Sequence, residues 1–571
     1  MSDKIGPTNK IDGGEAVLEA FRHLGVDYVM SSPGSEWAPV WEALARQKAN
    51  KTDGPTYIEC WHETLAVGMA IGYTLVTGKP QPVLLHAGAG LLQGAMAMHA
   101  AYIAQLPMLV MSGEALSYGE DPAMDPGSQW YRNLSVVGGP DGLVKPFTKW
   151  SSRITSSHTL YETIVRAMEM AARIPRGPIF LDLPVEIMLQ DWTPPEHIRR
   201  APTPPKTYTP PADIEAVAKL LVAAENPFLT TETTGRDPEA FAALVVLAER
   251  LALPVIESRG SVCLNFPKDH PLYQGFNLGP FMKESDLGLV VSSRAPWYPP
   301  GNRPAKAKIV AIDEDPLRSY MVYQNLQADL YLEGDLAATL RALDSAVQSL
   351  GIDKAKVEAR RAKYAAAHEK ADTQRKAAEA DAAKKPGIHP LTLCTAMRDV
   401  LPADTVYVDE TITHSSMMQE NMGWKKPNSY FYVQGGLGQG LGVALGVKLA
   451  NKNKPVALMI GDGSLLYNPI VQGLGASALH KLPLLIVVFN NKKYASMKGN
   501  HLRYYPEGIA VSTKTFHGVE IDPPDFAKLS THFGGFGKTV TDPDELTGAL
   551  RDGLATVAKG ETAIINVMLT Q

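Results

Sequence analysis

"GDGSLLYNPIVQGLGASALHKLPLLIVVFNN" occupies residues 461–491. It opens on an acidic glycine turn and closes on two asparagines, with an amphipathic segment and the apolar run "LPLLIVVF" between them. The turn is itself preceded by another apolar run, in "PVALMIGDG". Two such runs separated by a helical pattern read as neighbouring strands buried on both faces of a parallel sheet. In open α/β sheets, ligands sit beyond the carboxyl ends of the strands. The acidic turn and the asparagine pair are therefore neighbouring strand tips, although distant in sequence. Gly461 and Gly463 let the backbone turn sharply and approach a ligand closely. The amides at the start of the next helix, with Ser464, can hold a phosphate oxygen. Asp462 brings a carboxylate oxygen to the same edge, and Asn490 and Asn491 bring amides. A carboxylate, an amide oxygen and a main-chain carbonyl, completed by phosphate oxygens and water, suit octahedral Mg2+.

Working outward, short apolar strands alternate with longer helical patterns along the whole chain, which predicts α/β domains with parallel sheets. In the first third, "VDYVMSSPG", "TYIEC", "QPVLLHAGAG", "LPMLVMSGE" and "PIFLDLP" read as strands. A proline-rich linker follows near residues 190–212. "PFLTTET", "LPVIES", "LGLVVSS" and "AKIVAIDED" make a second block. The Ala-rich, charged stretch "KAKVEARRAKYAAAHEKADTQRKAAEADAAKKPG" reads as a solvated helical connection. The last block carries "TVYVDE", "SYFYVQGGLGQG", "PVALMIGDG", "LPLLIVVFNN" and "TAIINVML". The expected architecture is three doubly wound parallel-sheet domains, over residues 1–190, 212–345 and 387–571.

A chain of 571 residues is too long for one core. Its net charge of −5 carries no basic excess for a nucleic-acid partner. No apolar run approaches the roughly 20 residues of a membrane helix, and the first residues show no signal-peptide pattern. Cys60, Cys263 and Cys394 are far apart and odd in number, which fits buried thiols in a reducing cytoplasm.

The GDG…NN stretch resembles the signature of thiamine diphosphate enzymes, and nearly the whole chain resembles the acetohydroxyacid synthase and 2-oxo acid decarboxylase superfamily. The resemblance implies a pyrimidine-binding, a central and a diphosphate-binding domain, with thiamine diphosphate and Mg2+ as cofactors. It places the metal on Asp462, Asn491 and the backbone carbonyl of Lys493. Glu63, at the strand–helix junction in "TYIECWHETLAVGMAIGYTLVTGKP", matches the family's catalytic glutamate, which starts the proton relay through the cofactor's pyrimidine ring. Ala66, Gly68, Ala70 and Gly72 allow close packing of that helix. Leu437 in "VQGGLGQGLGVALG" matches the bulky residue that props the cofactor in its bent form, and fits ordinary core as well. "VYVDETITHSS" lies where the family holds the diphosphate, with Thr411 and Thr413 as hydroxyl donors. The pyrimidine-binding domain of one subunit faces the diphosphate-binding domain of another in this superfamily, which implies a homodimer or homotetramer.

Within the superfamily the layout is similar to benzoylformate decarboxylase. Ser35 follows Pro-Gly in "SSPGSEWAPVW", and His86 sits in "LLHAGAG"; both are assigned to the substrate pocket. "GGLG" without an inserted residue and Tyr467 follow the same pattern. Tyr494, Ser496 and Met497 fall where that family lines the cofactor and substrate pocket. The family's second active-site histidine has no counterpart, with Trp297 and Tyr298 near its expected position. Acetohydroxyacid synthases differ at Gly113-Glu114, where they carry Gly-Gln. They also carry a tryptophan-bearing segment where this chain has "YASMKGNHLRYYPEG". His501, Arg503, Tyr504 and Tyr505 in that segment fit either a cap over the site or a surface loop. FAD in the central domain is possible but rests only on "TTETTGRDPEAF" with Arg236. The expected function is cleavage or formation of a C–C bond next to a carbonyl, with a 2-oxo acid decarboxylated to an aldehyde or transferred to an acceptor. Acetolactate-type carboligation and 2-hydroxyacyl lysis are the alternatives. A non-catalytic protein of this fold would have no need of Glu63.

Overall fold

Among the described residues, seventeen strands fall into three sheets, and every strand pairs parallel with its neighbours. These elements come from a computed structural model that describes residues 11–32, 34–114, 136–196, 203–258, 260–297, 302–321, 324 and 326–570. The chain divides into two compact units, residues 1–204, 434–452 and 468–482 in one and the remainder in the other.

The first unit holds β1 (Tyr28–Ser31), β2 (Thr56–Glu59), β3 (Pro82–Leu85), β4 (Met108–Ser112), β5 (Trp150–Arg153) and β6 (Pro178–Asp182). Their order is β2-β1-β3-β4-β6-β5. The central strands β3, β4 and β6 are buried throughout, which is why they read as unbroken apolar runs. Helix Glu63–Thr77 lies against helix Gly440–Ala450 from late in the sequence. Their contact runs glycine to glycine: a Cβ on Gly68 would come 3.1 Å from Gly442 Cα, and one on Gly72 would strike the Val443 carbonyl. The run of small residues in this helix is thus required by backbone approach.

The second unit contains two sheets. Strands β7 (Pro227–Thr231), β8 (Val255–Glu257), β9 (Leu287–Val291), β10 (Lys308–Asp313) and β11 (Leu330–Glu333) are ordered β11-β10-β9-β7-β8. Strands β12 (Val406–Glu410), β13 (Tyr430–Tyr432), β14 (Val456–Gly461), β15 (Leu485–Asn490), β16 (Phe536–Val540) and β17 (Ala563–Met568) are ordered β13-β12-β14-β15-β17-β16. The first and third sheets share one topology, and the middle sheet repeats its first four positions. In each, the connections reverse direction between the first and third strands, which makes a switch point at the carboxyl edge. β5, β11 and β16 had no expected counterpart in the sequence. The charged stretch is a 30-residue helix, Lys354–Ala383, of which only Val357, Arg360, Tyr364 and Ala382 are buried. All three cysteines are free and buried.

Candidate active site

In the second unit, β14 leads directly into helix Asp462–Tyr467. Pairing of Gly461 with Phe489 sets Asp462 beside the tip of β15. Asp462 is 3% exposed. Its Oδ1 accepts the Gly463 amide at 2.8 Å, whereas Oδ2 is buried with no hydrogen-bond partner among the described residues. Burial pushes the carboxyl pKa up, and the backbone amides of Gly463, Lys492 and Lys493 oppose that rise. The Lys492 and Lys493 amides also donate to Asn490 Oδ1 at 3.2 Å and Asn491 Oδ1 at 3.0 Å. The two asparagines differ in role. Asn490 is buried and donates to Asn566 Oδ1 on β17 at 3.0 Å, tying two strands together. Asn491 lies beyond the strand and is half-buried. Between Asn491 and Lys493 the backbone turns left-handed at Lys492, with φ 54°. A buried carboxylate oxygen without a partner beside an amide oxygen is a donor set suited to a hard cation.

Neither glycine of the acidic turn adopts a left-handed φ, so the sharp-turn requirement read from the sequence does not hold there. Gly463 lies inside the helix, where a Cβ would strike the Tyr494 ring. At Gly461 a Cβ would meet nothing closer than Ser464 Oγ at 3.6 Å, so close approach to this chain does not demand a glycine. Ser464 is buried. Both the amide and the hydroxyl of Thr411 donate to Asp409 Oδ1, at 2.8 and 2.7 Å, and Tyr430 donates to Asp409 Oδ2 at 2.9 Å. The Thr411 hydroxyl proton is thus engaged inward, while Thr413 is exposed. Ile412 between them has φ 53°, a costly conformation for a β-branched residue and of the kind that clusters at functional loops. Tyr494 is half-buried and Tyr467 exposed. Ser496 and Met497 lie exposed on helix Ala495–Tyr504, which buries none of its residues. His501, Arg503 and Tyr504 belong to that helix, and Tyr505 is its C-cap.

In the first unit, Glu63 is the first residue of its helix and half-buried. His86 follows β3 and is half-buried. Gly90 separates them: a Cβ there would lie 2.8 Å from His86 Cβ and 2.9 Å from Glu63 Oε1. Ser35 is exposed in the single turn Ser35–Trp37 that follows β1. Leu437 is half-buried between Gly436 (φ 123°) and Gly438 (φ 97°), a backbone that only glycine adopts readily on either side.

Sequence reasoning missed Glu36. It is 3% exposed, and both its oxygens lie 2.9 Å from His86 Nδ1. Its only sequence signal is an acid directly after Pro-Gly-Ser at a strand end. Trp297 is buried in the core of the second unit, and Tyr298 lies outside the described residues. Arg236 stands near Cys263, Arg294, Arg318 and Tyr320, and desolvation lowers its pKa to about 10. It is absent from the lining of the cavity formed by Thr230, Ser258, Trp297 and Arg303 at the carboxyl edge of the middle sheet.

Residues 11–131 match the thiamine pyrophosphate enzyme N-terminal TPP binding domain, residues 214–343 its central domain, and residues 411–567 its C-terminal TPP binding domain. Together these matches cover most of the chain, which belongs to the thiamine pyrophosphate enzyme family (thiamine pyrophosphate and thiamine diphosphate are one compound). It is a thiamine diphosphate-dependent lyase or carboligase. The chain is 26% identical over 559 residues to benzoylformate decarboxylase of Pseudomonas aeruginosa, covering 95% of this chain and 96% of that one. It is 24% identical over 582 residues to the acetolactate synthase large subunit of Haemophilus influenzae, covering 98% and 95%. The crystal structure of benzoylformate decarboxylase from Polynucleobacter necessarius has the same fold, with TM-score 0.78 at 22% identity over 98% of this chain and 99% of that one.

Proposed function

We propose that this enzyme decarboxylates a 2-oxo acid to an aldehyde, or passes the resulting fragment to a carbonyl acceptor. The observation that carries this reading is the placement of Glu63 and His86 on either side of Gly90, in a chain whose relatives include benzoylformate decarboxylase. Bound thiamine diphosphate supplies an electron sink for the bond that breaks next to the carbonyl. Glu63 holds and moves the proton on its carboxyl group that activates the cofactor. His86, with Ser35, faces the substrate's carboxylate or the carbonyl oxygen. Asp462, Asn491 and the Lys493 carbonyl hold Mg2+, and a metal there would satisfy the unpartnered Asp462 Oδ2. Ser464, Thr413 and the backbone near Gly461 hold the diphosphate, and Leu437 supports the cofactor ring. Tyr494, Ser496 and Met497 line the pocket near them.

Glu63 belongs to the first unit and Asp462 to the second. The complete site takes one half from each of two subunits, in a homodimer or a tetramer of two dimers. Three buried, free thiols suit the cytoplasm. Acetolactate-type carboligation is the second reading, supported by the Haemophilus influenzae relative. The test is incubation of the protein, thiamine diphosphate and Mg2+ with a panel of 2-oxo acids and aldehydes, with products identified by mass spectrometry. An aldehyde one carbon shorter than its 2-oxo acid supports decarboxylation. Acetolactate from pyruvate as the sole product shifts the function to the second reading, and no C–C chemistry on any member would refute both.

A further inference from the structure

Glu36 is an acid buried at a strand tip, and two glycines make room for it. A Cβ on Gly34 would lie 2.5 and 2.6 Å from its two carboxylate oxygens and 2.6 Å from His86 Nδ1, and one on Gly113 would strike Glu36 Cγ. The carboxylate contacts His86 Nδ1 with both oxygens at 2.9 Å, and Oε1 also accepts the Ala87 amide at 2.8 Å. One residue along, Trp37 Nε1 donates to the Leu85 carbonyl at 2.9 Å, pinning the same two loops a second time. A carboxylate cannot donate, so Nδ1 carries its hydrogen in both charge states of the ring, and Nε2 is the atom that titrates.

We propose that Glu36 is a positioning residue that fixes the tautomer and orientation of His86 and favours its cationic form, so that the pocket offers positive charge to a substrate carboxylate beside Glu63. This rests on the assignment of His86 to the substrate pocket. Among the described residues, Glu36 from the turn after β1 and Glu63 from its helix face the ring; hydrogen bonding to Glu36 raises the His86 pKa from 6.5, its charge and that of Glu63 add, and burial opposes. Behind Glu36 stands Glu114, pushed up to about 7 by burial and by Asp182, with Arg153 opposing.

The experiment follows the 13Cε1 histidine signal that disappears in His86→Gln, titrated in the full-length protein and in Glu36→Gln. In parallel, kcat/KM is profiled against pH with benzoylformate and pyruvate as probe substrates. The expected parent midpoint lies above 6.5. In Glu36→Gln it falls by about one pH unit or more, the usual size of an opposite-charge effect at this distance. The alkaline limb of kcat/KM moves down with it, and Glu36→Asp recovers part of the shift. An unchanged His86 midpoint in Glu36→Gln overturns the inference. Should Glu36→Gln fail to fold, a parent His86 midpoint at or below 6.5 overturns it equally. A His86→Ala variant with parental kcat/KM instead refutes the pocket assignment itself, whatever the titration shows.

Discussion

Burying Asp462 with one carboxylate oxygen unbonded works against the fold unless a cation is there to meet it. Because burial raises its folded pKa, the cation-free protein is most favoured below the ordinary carboxyl value and loses that advantage as pH rises through the raised pKa. Asp462→Asn should therefore stabilise the protein at neutral pH without cofactor by about 1 kcal/mol or more, read as a rise in Tm. The same variant should lose the further rise that Mg2+ and thiamine diphosphate together produce in the parent. Differential scanning fluorimetry checks both, and a parental cofactor-induced rise in the variant sinks the metal assignment. His86 has a dependence of the same sign, carried by its charged form rather than its neutral one. Its raised pKa contributes stability that is fully present below about 6.5 and fades as pH rises through the folded pKa. The deficit of Glu36→Gln in urea unfolding should accordingly be larger at pH 6 than at pH 9, and an equal deficit at both would mean that Glu36 acts by packing alone.

At the scale of elements, the helix contact at Gly72 is open to direct test. Its Cβ direction points at the Val443 carbonyl, so Gly72→Ala should cost about 1–3 kcal/mol, read as a fall in Tm, whereas Gly78→Ala beyond the helix end meets no atom and pays only for its left-handed φ of 69°. Equal losses in the two would show that close helix approach is not what selects glycine at Gly72. The strands that sequence revealed and those it hid divide on similar physical lines. β3, β4, β14 and β15 are buried on both faces and read as apolar runs. β5, β11 and β16 each form a sheet edge and pair with one neighbour only. Their sequences, "WSSR", "LYLE" and "FGKTV", are half-exposed and carry neither run nor clean alternation. The site divides likewise. Asp462, Asn491 and Glu63 could be picked out as candidates because a strand followed by a polar turn marks the carboxyl edge. Glu36 was not, because its partner lies 50 residues away and an acid in a first turn reads as an ordinary dipole-compensating charge. The same limit applies to Asn490, whose bond to Asn566 is set by the pairing of β15 with β17.

For the whole molecule, assignment of Glu63 and Asp462 to different compact units makes subunit sharing testable. Glu63→Gln and Asp462→Ala subunits, each inactive alone, should regain activity when mixed, since a heterodimer then holds one intact and one doubly damaged site. Zero activity in mixtures that native mass spectrometry shows to contain heterodimers would place each site within one chain. The chemistry itself is tested most directly by release of labelled CO2 from 2-oxo acids carrying 13C at the carboxyl carbon, in the parent and in Glu63→Gln, with thiamine diphosphate and Mg2+ present. The expected result is cofactor-dependent release for at least one acid, slowed in Glu63→Gln by about 10²-fold or more. Release that is independent of thiamine diphosphate, or as fast in Glu63→Gln as in the parent, would contradict it.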